Sequence, residues 1–196
     1  MIIGLTGSIA MGKSEVARII RSLNIPVFDA DAAVHQIYAD GTAAQALKTV
    51  CPEAIAGEIV DRKTLSAHIA KNPDLLKTIT AIIHPIINAA EQKFRAENIG
   101  YLAVIDSPLI LESGRARDMD LLIVVSAHPE LQKARALARP GMTVEKFELI
   151  MSKQMPDNEK RAWADYVIEN NGTLEELEVT TKALIDLIKK QATPDA

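Results

Sequence analysis

Residues 7–14 read Gly-Ser-Ile-Ala-Met-Gly-Lys-Ser and fit the pattern Gly-x-x-x-x-Gly-Lys-Ser/Thr. Gly7 and Gly12 permit backbone conformations that turn successive amide N–H groups toward one point, where they form a concave site for an anion. Lys13 is placed to reach the β- and γ-phosphates of a nucleotide, and the Ser14 hydroxyl is a ligand for Mg²⁺. The pattern predicts a phosphate-binding loop (P-loop).

The sequence on both sides of the loop supports this interpretation. Ile2–Thr6 is apolar without polar alternation, which indicates a strand buried on both faces. After the loop, apolar side chains recur at helical spacing, so a helix should begin at Lys13 and direct the positive end of its dipole at the phosphates. We therefore predict that ATP binds along the loop, at Gly7, Ser8, Ile9, Ala10, Met11, Gly12, Lys13, Ser14 and Glu15.

Nucleotide binding alone is compatible with several classes of protein. A GTPase normally carries an Asn-Lys-x-Asp motif after a later strand, and this chain has none. A kinase for a small molecule is the leading interpretation. A nucleotide-dependent switch or binding module without transferase activity is the alternative from another class, and it predicts slow hydrolysis that small acceptors do not change.

Four further segments have the character of strands: Pro26–Asp29, Tyr101–Asp106, Leu121–Val125 and Asp165–Ile168. Helical patterns alternate with them, which implies right-handed crossovers. The sequence thus predicts an α/β P-loop NTPase fold with a mostly parallel five-stranded sheet flanked by helices.

Two segments depart from this alternation and are predicted to be helical insertions. Residues 34–99 contain no good strand, and helices are expected after Asp61 as an N-cap, after the Asn72-Pro73-Asp74 turn, and at His84-Pro85. The second insertion contains the Arg139-Pro140-Gly141 turn and a helix capped by Thr143. We divide the chain into a nucleotide-binding core (1–33, 100–130 and 160–196), a helical substrate-binding insertion (34–99) and a helical lid (131–159).

Acidic residues follow two of the predicted strands. Asp29 and Asp31 come at the end of the second strand, where either acid could accept a proton or hold a metal through water. The alternative is a structural role, with Asp31 as the N-cap of a helix that begins at Ala32. Asp106 ends the third strand and is either the acid that supports Mg²⁺ or a turn residue.

Basic residues offer weaker signals. Arg135 and Arg139 are four residues apart on one predicted helix, and a lid that carries arginines would exclude water and neutralise developing charge. On spacing alone, a solvated helix face is the better explanation. His84 precedes Pro85 at an expected helix start, where capping explains it better than phosphate binding.

Composition limits the partners and the compartment. The 196 residues carry a net charge of −4, which argues against nucleic-acid binding. Cys51 is the only cysteine, so a reducing compartment fits best. The N-terminus has no basic region, and no apolar run approaches the roughly 20 residues that span a bilayer. We expect a cytoplasmic protein without a membrane partner, as a monomer or weak homo-oligomer.

Over nearly its whole length the sequence resembles bacterial dephospho-CoA kinases. The resemblance rests on spaced motifs: the opening Ile-Gly-Leu-Thr-Gly (3–7) that leads to Gly-Lys-Ser (12–14), Asp-Ala-Asp (29–31), His-Pro (84–85), Asp-Ser-Pro-Leu-Ile-Leu-Glu (106–112), Gln132, Arg135, Arg139, Gln154, Ala-Asp (164–165) and Asn-Asn-Gly (170–172). The chain departs from the family at Ser8, Ala10 and Met11, where Gly, Gly and Ser are common.

The resemblance implies ATP-dependent phosphorylation of the ribose 3′-hydroxyl of dephospho-CoA, with Mg²⁺, to give CoA and ADP in the last step of coenzyme A biosynthesis. The runner-up is a nucleoside, nucleotide or other small-metabolite kinase. The resemblance implies catalytic roles for Asp31, Lys13 and Arg139, and it adds Arg135 and Arg139 to the loop residues that bind ATP. It implies that the acceptor is bound by Thr6, Asp31, His84 and Pro108. The metal would be held by Ser14 and Asp106.

Overall fold

The computed structural model describes residues 1–192. The chain forms the strands β1 (Ile2–Thr6), β2 (Val27–Asp29), β3 (Ile55–Ala56), β4 (Ile59–Val60), β5 (Ala103–Asp106), β6 (Leu121–Ser126) and β7 (Tyr166–Glu169). Its α-helices are α1 (Lys13–Ser22), α2 (Ala30–Ala39), α3 (Thr42–Leu47), α4 (Arg62–Lys71), α5 (Asp74–Glu97), α6 (Pro129–Leu137), α7 (Val144–Met151), α8 (Asp157–Trp163) and α9 (Leu174–Ala192). Within this range no helix combines the length and apolar character needed to cross a bilayer.

Contacts divide the chain into two compact units. The first contains Met1–Phe28 and the residues from Asn98 onward, and the second contains Asp29–Glu97. The first unit therefore holds the phosphate loop together with the segment that we interpreted as a lid. The second unit begins at the last residue of β2.

A five-stranded sheet has the order β2-β5-β1-β6-β7. β1 runs parallel to both neighbours, with Leu5 opposite Asp106 in β5 and Ile123 in β6. β7 is parallel to β6. The predicted mostly parallel sheet is confirmed. The central strands β1 and β6 are buried along nearly their whole length, as their uninterrupted apolar runs indicated.

Burial explains why the central strands form. Ile3, Leu5, Val104 and Ile123 have no exposed surface. They lie in a cluster with the apolar faces of α1 and α9, and those two helices pack against each other. Parallel strands in this environment bring their carboxyl ends to one edge of the sheet, where ligands bind in open α/β folds.

The second unit has its own hydrophobic core, which includes Leu47, Leu65, Ile79 and Ile83. It is helical as predicted, but the expectation that residues 34–99 contain no strand is wrong, since β3 and β4 pair as an antiparallel hairpin. Each strand is only two residues long, and Gly57 provides the left-handed turn residue between them with a φ of 67°. Strands this short carry no alternating pattern.

The helix start predicted at His84-Pro85 is also wrong. Pro85 lies inside α5, which continues from Asp74 to Glu97. Proline removes the N–H partner of the Ala81 carbonyl group, and both Pro85 and Ala81 are exposed residues on the solvent side of the helix. The isoleucines on the opposite side pack into the core and stabilise a continuous helix.

Replacing Leu47 with alanine should destabilise the second unit. Leu47 is fully buried, and its truncation removes apolar contacts and leaves a cavity. We expect the free energy of unfolding to fall by about 2–5 kcal/mol, measured by urea denaturation followed by circular dichroism. The control is Leu76→Ala, because Leu76 is 51% exposed. An equal loss in both variants would contradict the packing described.

Candidate active site

The phosphate loop connects β1 to α1, and close contacts explain its two glycines. A Cβ atom at Gly7 would lie 2.6 Å from the carbonyl oxygen of Val125 in β6. Gly12 is the N-cap of α1 with a left-handed φ of 99°, and a Cβ atom there would lie 1.9 Å from Nδ2 of Asn170. No side chain fits at either position. The loop therefore keeps the bare backbone that an anion nest requires, beside the N–H groups of the first turn of α1.

Ala10 adopts a conformation that favours glycine. Its φ is 62°, in the left-handed region, which costs a residue with a Cβ atom about 1–2 kcal/mol. Ala10 is buried and lies in an apolar cluster with Ala136 of α6 and Phe147 of α7. The methyl group gains packing that a glycine would lack. This contact explains how the chain accommodates its departure from the family pattern.

Three amide side chains from distant parts of the sequence hold the loop. Gln154 Oε1 accepts a hydrogen bond from the Ile9 amide N–H at 2.9 Å, and Gln132 Nε2 donates to the Ile9 carbonyl oxygen at 2.9 Å. Asn170 Nδ2 donates to the carbonyl oxygen of Met11 at 2.9 Å. The glycine motif gives no sign of these contacts. The family resemblance includes all three amides, but it assigned them no role.

Lys13 and Asp106 form an ion pair and hydrogen bond at the carboxyl edge of the sheet. The Lys13 side chain is 13% exposed and that of Asp106 is 1% exposed. A carboxylate this buried needs charged or polar partners, and the ammonium group supplies one of them. Asp106 therefore does more than end a strand, because it holds the lysine that the motif assigns to the phosphates.

Ser14, the residue after Lys13, offers an oxygen ligand. It is exposed in the first turn of α1, and its hydroxyl has no hydrogen bond within residues 1–192. Mg²⁺ prefers oxygen ligands, keeps several waters and usually binds through one or two protein groups plus substrate phosphates. The Ser14 hydroxyl and the Asp106 carboxylate are both oxygen groups of this kind, so the residues present suit Mg²⁺.

The two arginines differ in their surroundings. Arg135 in α6 donates from Nη1 to the carbonyl oxygen of Asn170 at 2.8 Å. Arg139 lies two residues beyond the end of α6, so the prediction that one helix carries both arginines is wrong. Arg139 is exposed, and its guanidinium has no partner among residues 1–192. Arg135 braces the end of β7, whereas Arg139 remains available to a ligand.

Asn170 follows directly after a second ion pair. Arg161 of α8 contacts Glu169 at 2.6 Å and donates to the Ser126 hydroxyl at 3.0 Å. The Arg161 hydrogen bond and charge lower the pKa of the Glu169 carboxyl. Because the folded-state pKa is depressed, the stabilisation from this pair is present near neutral pH and is lost as the pH falls through that pKa. Because both side chains are partly exposed, this pair makes only a small contribution to the position of Asn170.

In the second unit, the structure corrects the prediction for the paired acids. α2 begins at Ala30, and its N-cap is Asp29, whose Oδ1 accepts from the Ala32 amide at 2.9 Å. Asp31 lies in the first turn, is exposed, and has no hydrogen bond within residues 1–192. His84 lies exposed on α5 and caps nothing. Capping thus involves Asp29 and leaves the Asp31 carboxylate available for chemistry.

Gly12→Ala should weaken ATP binding by about tenfold or more. The new methyl group would collide with the Asn170 amide and displace the loop from the geometry that surrounds an anion. Isothermal titration calorimetry with ATP measures the effect. Gly100→Ala is the matched control, because Gly100 also has a left-handed φ, of 84°, but has nothing within 4 Å of its would-be Cβ. Equal ATP affinities in the two variants would refute this explanation.

The parallel sheet, the glycine loop and the helix behind it define a P-loop fold of the type found in small-molecule kinases. A solved shikimate kinase from Acinetobacter baumannii shares this fold, with a TM-score of 0.53 at 14% identity over 98% of this chain and 95% of the other. A family model described as dephospho-CoA kinase matches residues 1–176. The chain belongs to the dephospho-CoA kinase family.

Individual relatives agree with this membership. The sequence is 46% identical to a dephospho-CoA kinase from Novosphingobium aromaticivorans, over 97% of this chain and 96% of the relative. A solved dephospho-CoA kinase from Campylobacter jejuni superimposes with a TM-score of 0.74 at 25% identity, covering 98% of each chain. The chain is accordingly a phosphotransferase with ATP as a substrate.

Proposed function

We propose that the chain transfers the γ-phosphoryl group of ATP to the ribose 3′-hydroxyl of dephospho-CoA and releases CoA and ADP. Membership of the dephospho-CoA kinase family carries the choice of acceptor. The structural support is the Lys13–Asp106 pair beside the glycine loop, since it presents an ammonium group at the carboxyl edge of the sheet. Phosphoryl transfer requires positioning and neutralisation of charge more than covalent chemistry.

The phosphate loop holds the donor in this proposal. Residues 7–15 surround the phosphates with backbone N–H groups, and Lys13 neutralises the group that is transferred. Ser14 would hold Mg²⁺ as its protein ligand, with Asp106 supporting it, and the ion would offset the negative charge of the phosphates. Arg135 and Arg139 contribute to ATP binding. Arg139 also neutralises the charge that develops on the phosphoryl group during transfer.

The acceptor is bound and activated by four residues. Asp31 accepts the proton of the 3′-hydroxyl. This role is supported by the state of its carboxylate, which caps no helix and has no hydrogen bond within residues 1–192. His84, Thr6 and Pro108 hold the acceptor. Thr6 and Pro108 already contact each other, because the threonine hydroxyl donates to the Pro108 carbonyl oxygen at 3.2 Å. The second unit, Asp29–Glu97, accordingly serves as the acceptor domain, and residues 131–159 serve as the lid.

A coupled assay of ADP release tests the proposal directly. The purified chain is supplied with Mg²⁺ and ATP, and the acceptors dephospho-CoA, nucleoside monophosphates and simple hydroxy acids are compared. We expect ADP production to depend on dephospho-CoA and CoA to appear in equal amount. Phosphorylation of a nucleoside monophosphate alone would refute the choice of acceptor. ADP production that no acceptor changes would instead indicate a nucleotide-dependent switch.

A further inference from the structure

Lys160 in α8 is fully buried, although lysine almost never is unless it is paired. Its Nζ atom lies 2.9 Å from Glu112 Oε1 and donates to the Pro108 carbonyl oxygen, also at 2.9 Å. Both partners belong to the segment that follows β5. Neither the phosphate loop nor the paired acids Asp29 and Asp31 involve this lysine, so the chemistry described above leaves it without a role.

The two oxygen atoms that Lys160 contacts, the Pro108 carbonyl oxygen and Glu112 Oε1, also accept hydrogen bonds from other parts of the first unit. The Thr6 hydroxyl, at the end of β1, donates to the Pro108 carbonyl oxygen at 3.2 Å. The Met155 amide N–H, just before α8, donates to Glu112 Oε1 at 2.8 Å. Lys160 therefore completes a network that joins the strand before the phosphate loop, the segment after β5 and the end of the segment assigned as the lid.

We propose that Lys160 is a positioning residue that fixes the segment from Pro108 to Glu112 for phosphoryl transfer. This inference rests on the proposed function, in which Pro108 contacts the acceptor. Only Ser107 separates Pro108 from Asp106, the partner of Lys13. Asp106, however, lies in β5 opposite Leu5 and is held by the sheet, so displacement of the segment would move the acceptor contact at Pro108 and leave the phosphate-binding lysine in place. Misplacement of substrate-positioning groups by about 1 Å costs as much as 10²-fold in rate.

Stability alone does not account for the buried pair. Apolar residues of similar volume often stabilise a protein as well as a buried ion pair does, or better. The network is also incomplete, because Glu112 Oε2 is buried without a hydrogen-bond partner within the described residues. A core selected for stability alone would avoid such an atom. An apolar side chain cannot donate hydrogen bonds to Pro108 and Glu112. The Lys160 ammonium group contacts both, and these two contacts set the position of the segment.

The test compares Lys160→Met with the wild-type chain in steady-state transfer to dephospho-CoA and in ATP titration by calorimetry. We expect the KM for dephospho-CoA to rise about tenfold or more, while the Kd for ATP changes less than about twofold. Lys160→Arg keeps a donor and should recover part of the loss. Ile185→Ala, a change in the fully buried core of α9, is the control for lowered stability and should leave both constants unchanged.

Lys160→Met leaves the Glu112 carboxylate without its charged partner, and this variant could fail to fold. A second variant keeps the test decisive in that case. Lys160→Met combined with Glu112→Gln removes both charges, and it should fold and show the same rise in the acceptor KM. A wild-type KM for dephospho-CoA in either folded variant overturns the inference, as does an equal rise in Ile185→Ala. Absence of transfer by the wild-type chain would instead refute the proposed function, so the two failures can be told apart.

Discussion

Replacing Lys13 with alanine should leave almost no transfer to dephospho-CoA. In the proposed mechanism the ammonium group neutralises charge on the transferring phosphoryl group, and no other lysine lies in the phosphate loop. Loss of a single group of this kind costs roughly 10²–10³-fold in turnover, or about 3–4 kcal/mol of transition-state stabilisation. The measurement is kcat in the coupled ADP assay at saturating ATP and Mg²⁺.

The same substitution removes a partner of the buried Asp106 carboxylate, so folding must be measured alongside activity. Lys13→Met retains the aliphatic stem of the side chain and separates the loss of charge from the loss of packing. Lys182→Ala is the control, because Lys182 forms a half-exposed pair with Glu178 on α9. Transfer at the wild-type rate by folded Lys13→Met would remove the lysine from catalysis.

Asp31→Asn should retain ATP binding and lose turnover. The substitution keeps the size of the side chain but removes its ability to accept a proton from the 3′-hydroxyl. General-base catalysis contributes about 10²–10⁴-fold, and we expect kcat to fall within that range. The Kd for ATP by calorimetry should stay near the wild-type value, because Asp31 is assigned to the acceptor and not to the phosphates of ATP.

Asp29→Asn is the matched control for that experiment. Asparagine caps helices as well as aspartate does, so the start of α2 should persist. We expect Asp29→Asn to keep most of its activity. If Asp29→Asn lost turnover and Asp31→Asn retained it, the base would have to be reassigned from Asp31 to Asp29.

The sequence predicted the sheet and the phosphate loop well because both depend on local signals. Each sheet strand is a short apolar run between turn residues, and the observed ends of β1 match the predicted ones. The loop is recognisable because Gly7 and Gly12 are the residues that close backbone contacts require. Such features appear within a few residues of one another in the chain.

The errors arose where tertiary contacts outweigh local signals. Pro85 indicates a helix start in isolation, but the isoleucines of α5 stabilise a helix that continues through it. From sequence, both Asp31 and Asp29 are plausible N-caps. Only the position at which the helical backbone begins, Ala30, identifies Asp29 as the N-cap. The burial of Lys160 was not predicted, because its partners lie 48 and 52 positions away in the sequence.

The ion pair between Lys13 and Asp106 has a consequence for how the phosphate loop discriminates among anions. A solitary ammonium group at the mouth of the loop would attract chloride, sulfate or free phosphate from the cell. Here the Asp106 carboxylate already neutralises it, so an incoming anion gains less from the lysine alone and must also be held by other groups of the loop. We expect this arrangement to favour a metal-complexed triphosphate over simple inorganic ions.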